Sequence, residues 1–193
     1  MSHISVTSER VIAVRPDHIY RVLVDYKHKR PKMLPPDFVD YAVEKGGKGP
    51  GTEVRYRLQA GGRERSYHMH VEEPVKGRVI TERDCKSSLV TTWRLAPLDG
   101  GEQTRVSVTS EWEGGQGVQG FFERTFAPFG LSRIYQSMLT MLMLMTQPAG
   151  RNLVDAREEE EKKRARRMQM LPLAMLGVAA VAVILGYRRW QNG

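Results

Sequence analysis

Two histidines stand one residue apart in SYHMHVEE, at positions 68 and 70, and an extended backbone would send both imidazoles to one face. That is how a strand begins a metal site, but such a site needs three or four ligands. No cluster of Cys, His or carboxylate residues in the sequence completes the pair, so His68 and His70 read as surface histidines and no metal is expected. Cys85 is the sole cysteine; it has no obvious His partner as a thiol nucleophile, and it can form no intramolecular disulfide. Gly-Ser nucleophile elbows, Walker loops and dinucleotide fingerprints are absent, and the glycine-rich stretch GGKGPG (46–51) joins two strand-like segments rather than a strand and a helix. No catalytic residue and no cofactor emerges from these motifs.

The elements that would position any site alternate in a readable order. Ile4 to Val14 has the alternation and the Ile, Val and Thr content of a half-buried strand. After Pro16-Asp17, the segment HIYRVLVDY repeats Ile19, Tyr20, Leu23 and Val24 at helical spacing, and a second short helical stretch, KHKRPKML, is cut off at Pro35-Pro36. Strand-like segments then follow at hairpin spacing: FVDYAVEK, TEVRYRLQA, RERSYHMHVEEP, GRVITERD, LVTTWRLAPL and EQTRVSVTSEWEG. Gln116 to Thr146 loses the strand period; its helical pattern breaks at Pro128 and Gly130 and resumes from Leu131 to Met145. The period of two gives each strand one apolar face: Val54, Tyr56 and Leu58; Tyr67, Met69 and Val71; Leu89, Thr91, Trp93 and Leu95; Val106, Val108, Ser110 and Trp112. Arg55, Arg57, His68, His70, Arg105 and Glu111 fall on the opposite, wet face, which leaves the last helix to cover the apolar one.

The net charge of +8 raises the question of nucleic acid, but half of the excess sits in residues 151–193 and no basic stripe with interleaved aromatics runs through the rest, so no nucleic-acid partner is expected. Residues 170–187, MLPLAMLGVAAVAVILGY, contain no charge; as a helix they would rise about 27 Å, close to the thickness of a bilayer's hydrocarbon core. Tyr187 and Trp190 beside Arg188 and Arg189 have the make-up of an interfacial anchor. Lys162, Lys163, Arg164, Arg166 and Arg167 precede the segment while two arginines follow it, which orients the N-terminal side to the cytoplasm. The first residues, MSHISVTSERVIAV, lack the basic and apolar regions of a secretory signal. The expected organisation is a domain over 1–147, a charged helical linker over 148–169, a transmembrane helix over 170–187 and a short basic tail over 188–193: a single-pass, tail-anchored protein. A buried or surface C-terminal helix is the alternative for the apolar segment, and an acidic recognition tag the alternative for Glu158 to Glu161.

The order of strand, two short helices, six-stranded meander and long helix, with RPDHIYRVLVDYKHKRPKMLP and the later FVDYAVEKGGKGPGTEVRYR, resembles the START-like helix-grip fold, the SRPBCC or polyketide cyclase and lipid-transport superfamily. The resemblance covers residues 1 to about 146 and rests on turns and core positions. It implies an α+β fold in which a curved antiparallel sheet of about seven strands grips the last helix around an elongated apolar cavity. The cavity would be lined by Tyr56, Leu58, Tyr67, Met69, Trp93, Val106, Val108 and Trp112 from the sheet and by Phe122, Phe126, Tyr135 and Met138 from the helix. Taken one by one, these residues read better as core packing, and the cavity rests on the resemblance. The methionines at 138, 141, 143 and 145 make the helix end apolar nearly all round, fit to line the cavity mouth or to touch a bilayer.

The function expected from this resemblance is binding or transfer of a lipid or other hydrophobic small molecule next to a membrane. Some members of the superfamily are cyclases or hydratases that place a polar group inside the cavity; the candidates here are Tyr67, Tyr135, Arg94 and Glu82, whose facing the sequence does not fix. A non-catalytic membrane interaction module, its cavity filled by its own side chains, is the third reading.

Overall fold

The computed structural model describes residues 2–60, 63–114, 127–147 and 163. The chain divides into two units, Met1–Gly150 and Arg151–Gly193, and every element named below belongs to the first. Strand β1 (Ser2–Ile12) is followed by helix α1 (Pro16–Leu23) and a single 3-10 turn (Arg30–Met33). A meander of six strands comes next: β2 (Phe38–Lys45), β3 (Glu53–Ala60), β4 (Arg63–Val75), β5 (Val79–Asp84), β6 (Val90–Leu98) and β7 (Gln103–Gly114). Helix α2 (Ala127–Thr146) closes the unit.

All seven strands form one antiparallel sheet in the order β1-β7-β6-β5-β4-β3-β2. β1 zips against the whole of β7, from Ser2 opposite Gly114 to Ile12 opposite Thr104, which places the first strand beside the last. Register slips between Val39 and Ala42 and between Glu72 and Val75 mark bulges that bend β2 and β4. Pro74, which has no N–H to give a ladder, lies within the second slip. The turn between β2 and β3 folds around Thr52, whose Oγ1 accepts from the Gly47 N–H at 3.1 Å. Gly46 there has φ +70°, and a Cβ on it would meet the Thr52 Cα at 3.2 Å, which explains why glycine stands at this position.

The period of two in the strands becomes the inner and outer face of the sheet. Val54, Met69, Val71, Ile80, Trp93, Leu95, Val106 and Val108 are buried and join Ile19, Leu23, Ile134, Leu139 and Leu142 of the helices in one core. Arg55 and Arg105 lie on the exposed outer side. Helix α2 packs across β1, β3, the 3-10 turn and α1. Met141, Met143 and Met145 are half-buried against that core, and Met138 is buried.

The short helical stretch in KHKRPKML is the single 3-10 turn, because the Asp25 carbonyl takes the Lys29 and Arg30 N–H groups, the Asp25 carboxylate takes the His28 N–H, and Pro31 has none to offer. One local expectation is corrected. Pro128 and Gly130 do not interrupt the last helix but lie in its first turn, where a missing N–H is tolerated. The linker 148–169, apart from Lys163, the apolar segment 170–187, the tail 188–193 and both Phe122 and Phe126 fall outside the described residues. Among the described residues, no helix is long and apolar enough to cross a membrane.

Candidate functional site

A cavity of about 810 Å³ opens between the inner face of the sheet and the helical layer, within the range typical of small-molecule sites. Its apolar wall comes from Leu34 ahead of the meander, Phe38 at the start of β2, Val54, Tyr56 and Leu58 of β3, Leu89 and Trp93 around β6, and Leu131 and Met138 of α2. Phe38 and Tyr56 pack as tilted rings with centroids 5.0 Å apart, and Tyr56 and Tyr67 likewise at 5.6 Å, so an aromatic wall continues across the strands β2 to β4. The rim carries Glu64, Arg65, Ser88 and Glu113, together with Phe129, which is 80 % exposed.

The opposite, buried end is polar. Arg30 leaves the 3-10 turn with only 3 % exposure, and its Nη2 donates to Glu82 Oε1. The Tyr26 hydroxyl donates to the same carboxylate oxygen at 2.7 Å, and the Tyr41 hydroxyl donates to the Tyr26 carbonyl at 2.9 Å. The guanidinium lies 4.5 Å from the centroid of the Trp93 ring and 5.3 Å from that of Tyr26, a cation–π sandwich that helps hold the charge away from water. Burial is the largest single influence and works to lower the affinity of Arg30 for its proton, yet the Glu82 carboxylate together with Tyr26, Tyr41 and Tyr56 turns the net direction up, so Arg30 stays charged. Burial, and then the negative charge of Glu82, push Tyr26 and Tyr56 well above the ordinary tyrosine value.

A second polar group adjoins the first. Thr91 is the register partner of Glu82 on one side and of Ser110 on the other. Its Oγ1 lies 2.5 Å from the Ser110 Oγ, which in turn meets the Tyr135 hydroxyl reaching down from α2. Burial pushes Tyr135 up to about 12 even though the hydrogen bonds with Ser110 and Thr91 act in the other direction. Near neutral pH these buried phenols are therefore hydrogen-bonding groups rather than bases.

Of the residues named from the sequence, Tyr56, Leu58, Tyr67, Trp93, Trp112, Tyr135 and Met138 stand around the cavity. Met69, Val106 and Val108 are wholly buried and are not among the residues that line it. Glu82 faces inward, whereas Arg94 is on the exposed side of β6. His68 and His70 lie beside carboxylates, with His68 Nε2 3.4 Å from both Glu44 and Glu53, but among the described residues no group of three or more His, Cys, Asp or Glu is arranged to hold a metal ion. Cys85 is exposed.

Sequence reasoning missed Arg30, Tyr26 and Tyr41. Arg30 lies in a stretch rich in Lys and Arg, and nothing local distinguishes the one arginine that is buried. Glu82 did carry a signal: in VITERD it takes the strand parity of Ile80, a carboxylate on the apolar face.

This chain is similar over its sheet and helices to several solved structures. The KanY protein, determined by NMR in solution, is 38% identical with a TM-score of 0.65, the match covering 74% of this chain and 97% of that one. The Zhui aromatase/cyclase from Streptomyces sp. R1128 is 17% identical with a TM-score of 0.63, covering 77% and 99%. A START superfamily protein from Mycobacterium smegmatis is 13% identical with a TM-score of 0.57, covering 75% and 97%. At such identities the last two speak to the fold alone. The match spans 97% and 99% of the first two solved chains and about three quarters of this one, and the unit 1–150 has a sheet and a hydrophobic core of its own. Comparison with curated protein sequences finds no match. Residues 3–143, which carry the sheet, the cavity and most of α2, match the family described as polyketide cyclase / dehydrase and lipid transport, and the chain belongs to that family.

Proposed function

We propose that the domain binds a lipid or another hydrophobic small molecule non-covalently in the cavity, and that segment 170–187 tethers it to a membrane with the domain on the cytoplasmic side. The observation that carries the binding reading is the cavity itself: about 810 Å³, walled mainly by Leu, Phe, Tyr, Trp and Met side chains and open at one rim. Moving apolar ligand surface from water into such a space yields about 25 cal/mol per Å², and a few polar groups suffice to orient it. The tether rests on the uncharged run and its flanking cations in the sequence.

The test is native mass spectrometry with solvent extraction on residues 1–150 purified without detergent. A stoichiometric hydrophobic molecule released on denaturation supports the reading and gives the ligand class. A domain that emerges empty and also refuses a panel of lipids, quinones and aromatic polyketides refutes it.

A second reading, an enzyme of the cyclase type, is favoured by one feature: the charged pair Arg30 and Glu82 and the hydroxyls of Tyr26 and Tyr135 stand at the cavity wall, where a packed core would have apolar groups. It predicts that a polyketide ligand is returned with its mass or ring structure changed, whereas a carrier returns it intact.

A further inference from the structure

Two buried donors at the closed end of the cavity have no acceptor among the described residues: Nη1 of Arg30 and Nε1 of Trp93. Both side chains line the cavity, with 3 % and 0 % of their surface exposed, and the guanidinium rests against the Trp93 indole. Buried N–H groups are nearly always paired, so two orphans on adjoining groups in one cavity wall point to a partner that arrives from outside the chain. One oxygen has two lone pairs and can accept from both.

The charge on that oxygen is decided by what surrounds it. Arg30 is already neutralised by Glu82, which also receives the Tyr26 hydroxyl, so the buried end carries no net charge. An added carboxylate would share one guanidinium with Glu82 and put a second anion into an enclosed site, whereas a ketone, ester or hydroxyl oxygen fills the orphan donors without adding charge. Resting on the binding reading above, we propose that the cavity selects hydrophobic molecules with an uncharged oxygen at one end, seated against Arg30 and Trp93, over both fatty carboxylates and plain hydrocarbons. A ligand so held enters with its oxygen first and leaves its apolar body along the aromatic wall of Phe38, Tyr56 and Tyr67 towards the rim.

The experiment titrates ¹⁵N-labelled residues 1–150 with methyl nonyl ketone, undecane and undecanoate, reading affinity together with the indole N–H resonance of Trp93, identified by its loss in Trp93→Phe. The ketone should move that resonance strongly and undecane should bind without moving it; undecanoate should bind more weakly than the ketone. In Trp93→Phe the ketone-to-undecane affinity ratio should fall about fivefold, the loss expected for one neutral hydrogen bond, while undecane binding persists. Equal binding of all three probes with an unmoved indole resonance overturns this inference and leaves the cavity reading standing. Tighter binding of undecanoate than of the ketone also overturns it. Failure of every probe, undecane included, overturns the cavity reading and this inference with it.

Discussion

Replacing Glu82 by Ala removes one carboxylate and strands two groups. Arg30, 3 % exposed, loses its counter-ion, and the Tyr26 hydroxyl loses the acceptor 2.7 Å away. Breaking a buried ion pair from one side costs about 3–5 kcal/mol, because the remaining charge has neither water nor partner. For a unit of this size each kcal/mol moves the midpoint by about 2–4 °C, so Glu82→Ala should lower the Tm of residues 1–150 by about 6–20 °C. Glu82→Gln keeps an acceptor for Tyr26 and for Arg30 and should lose about half as much. Removing both charges together, Arg30→Met with Glu82→Met, should be milder than Glu82→Ala, since apolar groups of similar volume often replace a buried pair without loss. A double-mutant cycle built from denaturant or thermal unfolding should therefore give a coupling of about 2 kcal/mol or more. A Tm change under about 3 °C for Glu82→Ala, or strict additivity in the cycle, would refute the account of a buried, mutually dependent pair.

Three further outcomes follow from other parts of the structure. Tyr26, Tyr56 and Tyr135 are all held above the ordinary tyrosine value, Tyr135 at about 12. The unfolded chain sheds these protons near pH 10 while the folded one keeps them, so stability is intact below about pH 10 and falls as pH rises towards 12, by up to about 1.4 kcal/mol per pH unit for each residue. Tyrosinate absorbance should lag until circular dichroism reports unfolding; free titration of all six tyrosines of residues 1–150 near pH 10 in a folded domain would contradict this. Gly46→Ala forces a left-handed backbone and brings a Cβ to 3.2 Å from the Thr52 Cα, and should cost about 1–2 kcal/mol in denaturant unfolding; a neutral result would mean the turn is built differently. Deleting residues 170–193 should move the protein from the membrane pellet to the soluble fraction, and retention in the pellet would dispose of the tether.

Much of the architecture was legible along the chain because strands and helices announce themselves locally. The alternation in TEVRYRLQA and in EQTRVSVTSEWEG marks which residues face inward, and glycine-rich stretches mark the turns between them. The same period placed Tyr56, Leu58, Trp93 and Trp112 on the inner face, where they border the cavity. It could not separate them from Met69, Val106 and Val108, which share that face yet are wholly enclosed by core, since parity decides the face and neighbouring side chains decide whether a space remains. The extent of the last helix was misjudged at Pro128, since a proline reads as a break unless it is known to stand in a first turn.

The polar end of the cavity belongs to tertiary structure alone. Tyr26 comes from the turn after α1 and Arg30 from the 3-10 turn that follows, Glu82 from a strand some fifty residues on, and Tyr135 from the last helix. Local pattern reports the face a residue takes within its own element; only packing of the turn over the sheet decides that this arginine, among the lysines and arginines around it, is enclosed, and burial is what turns an ordinary charge into one that must find a partner.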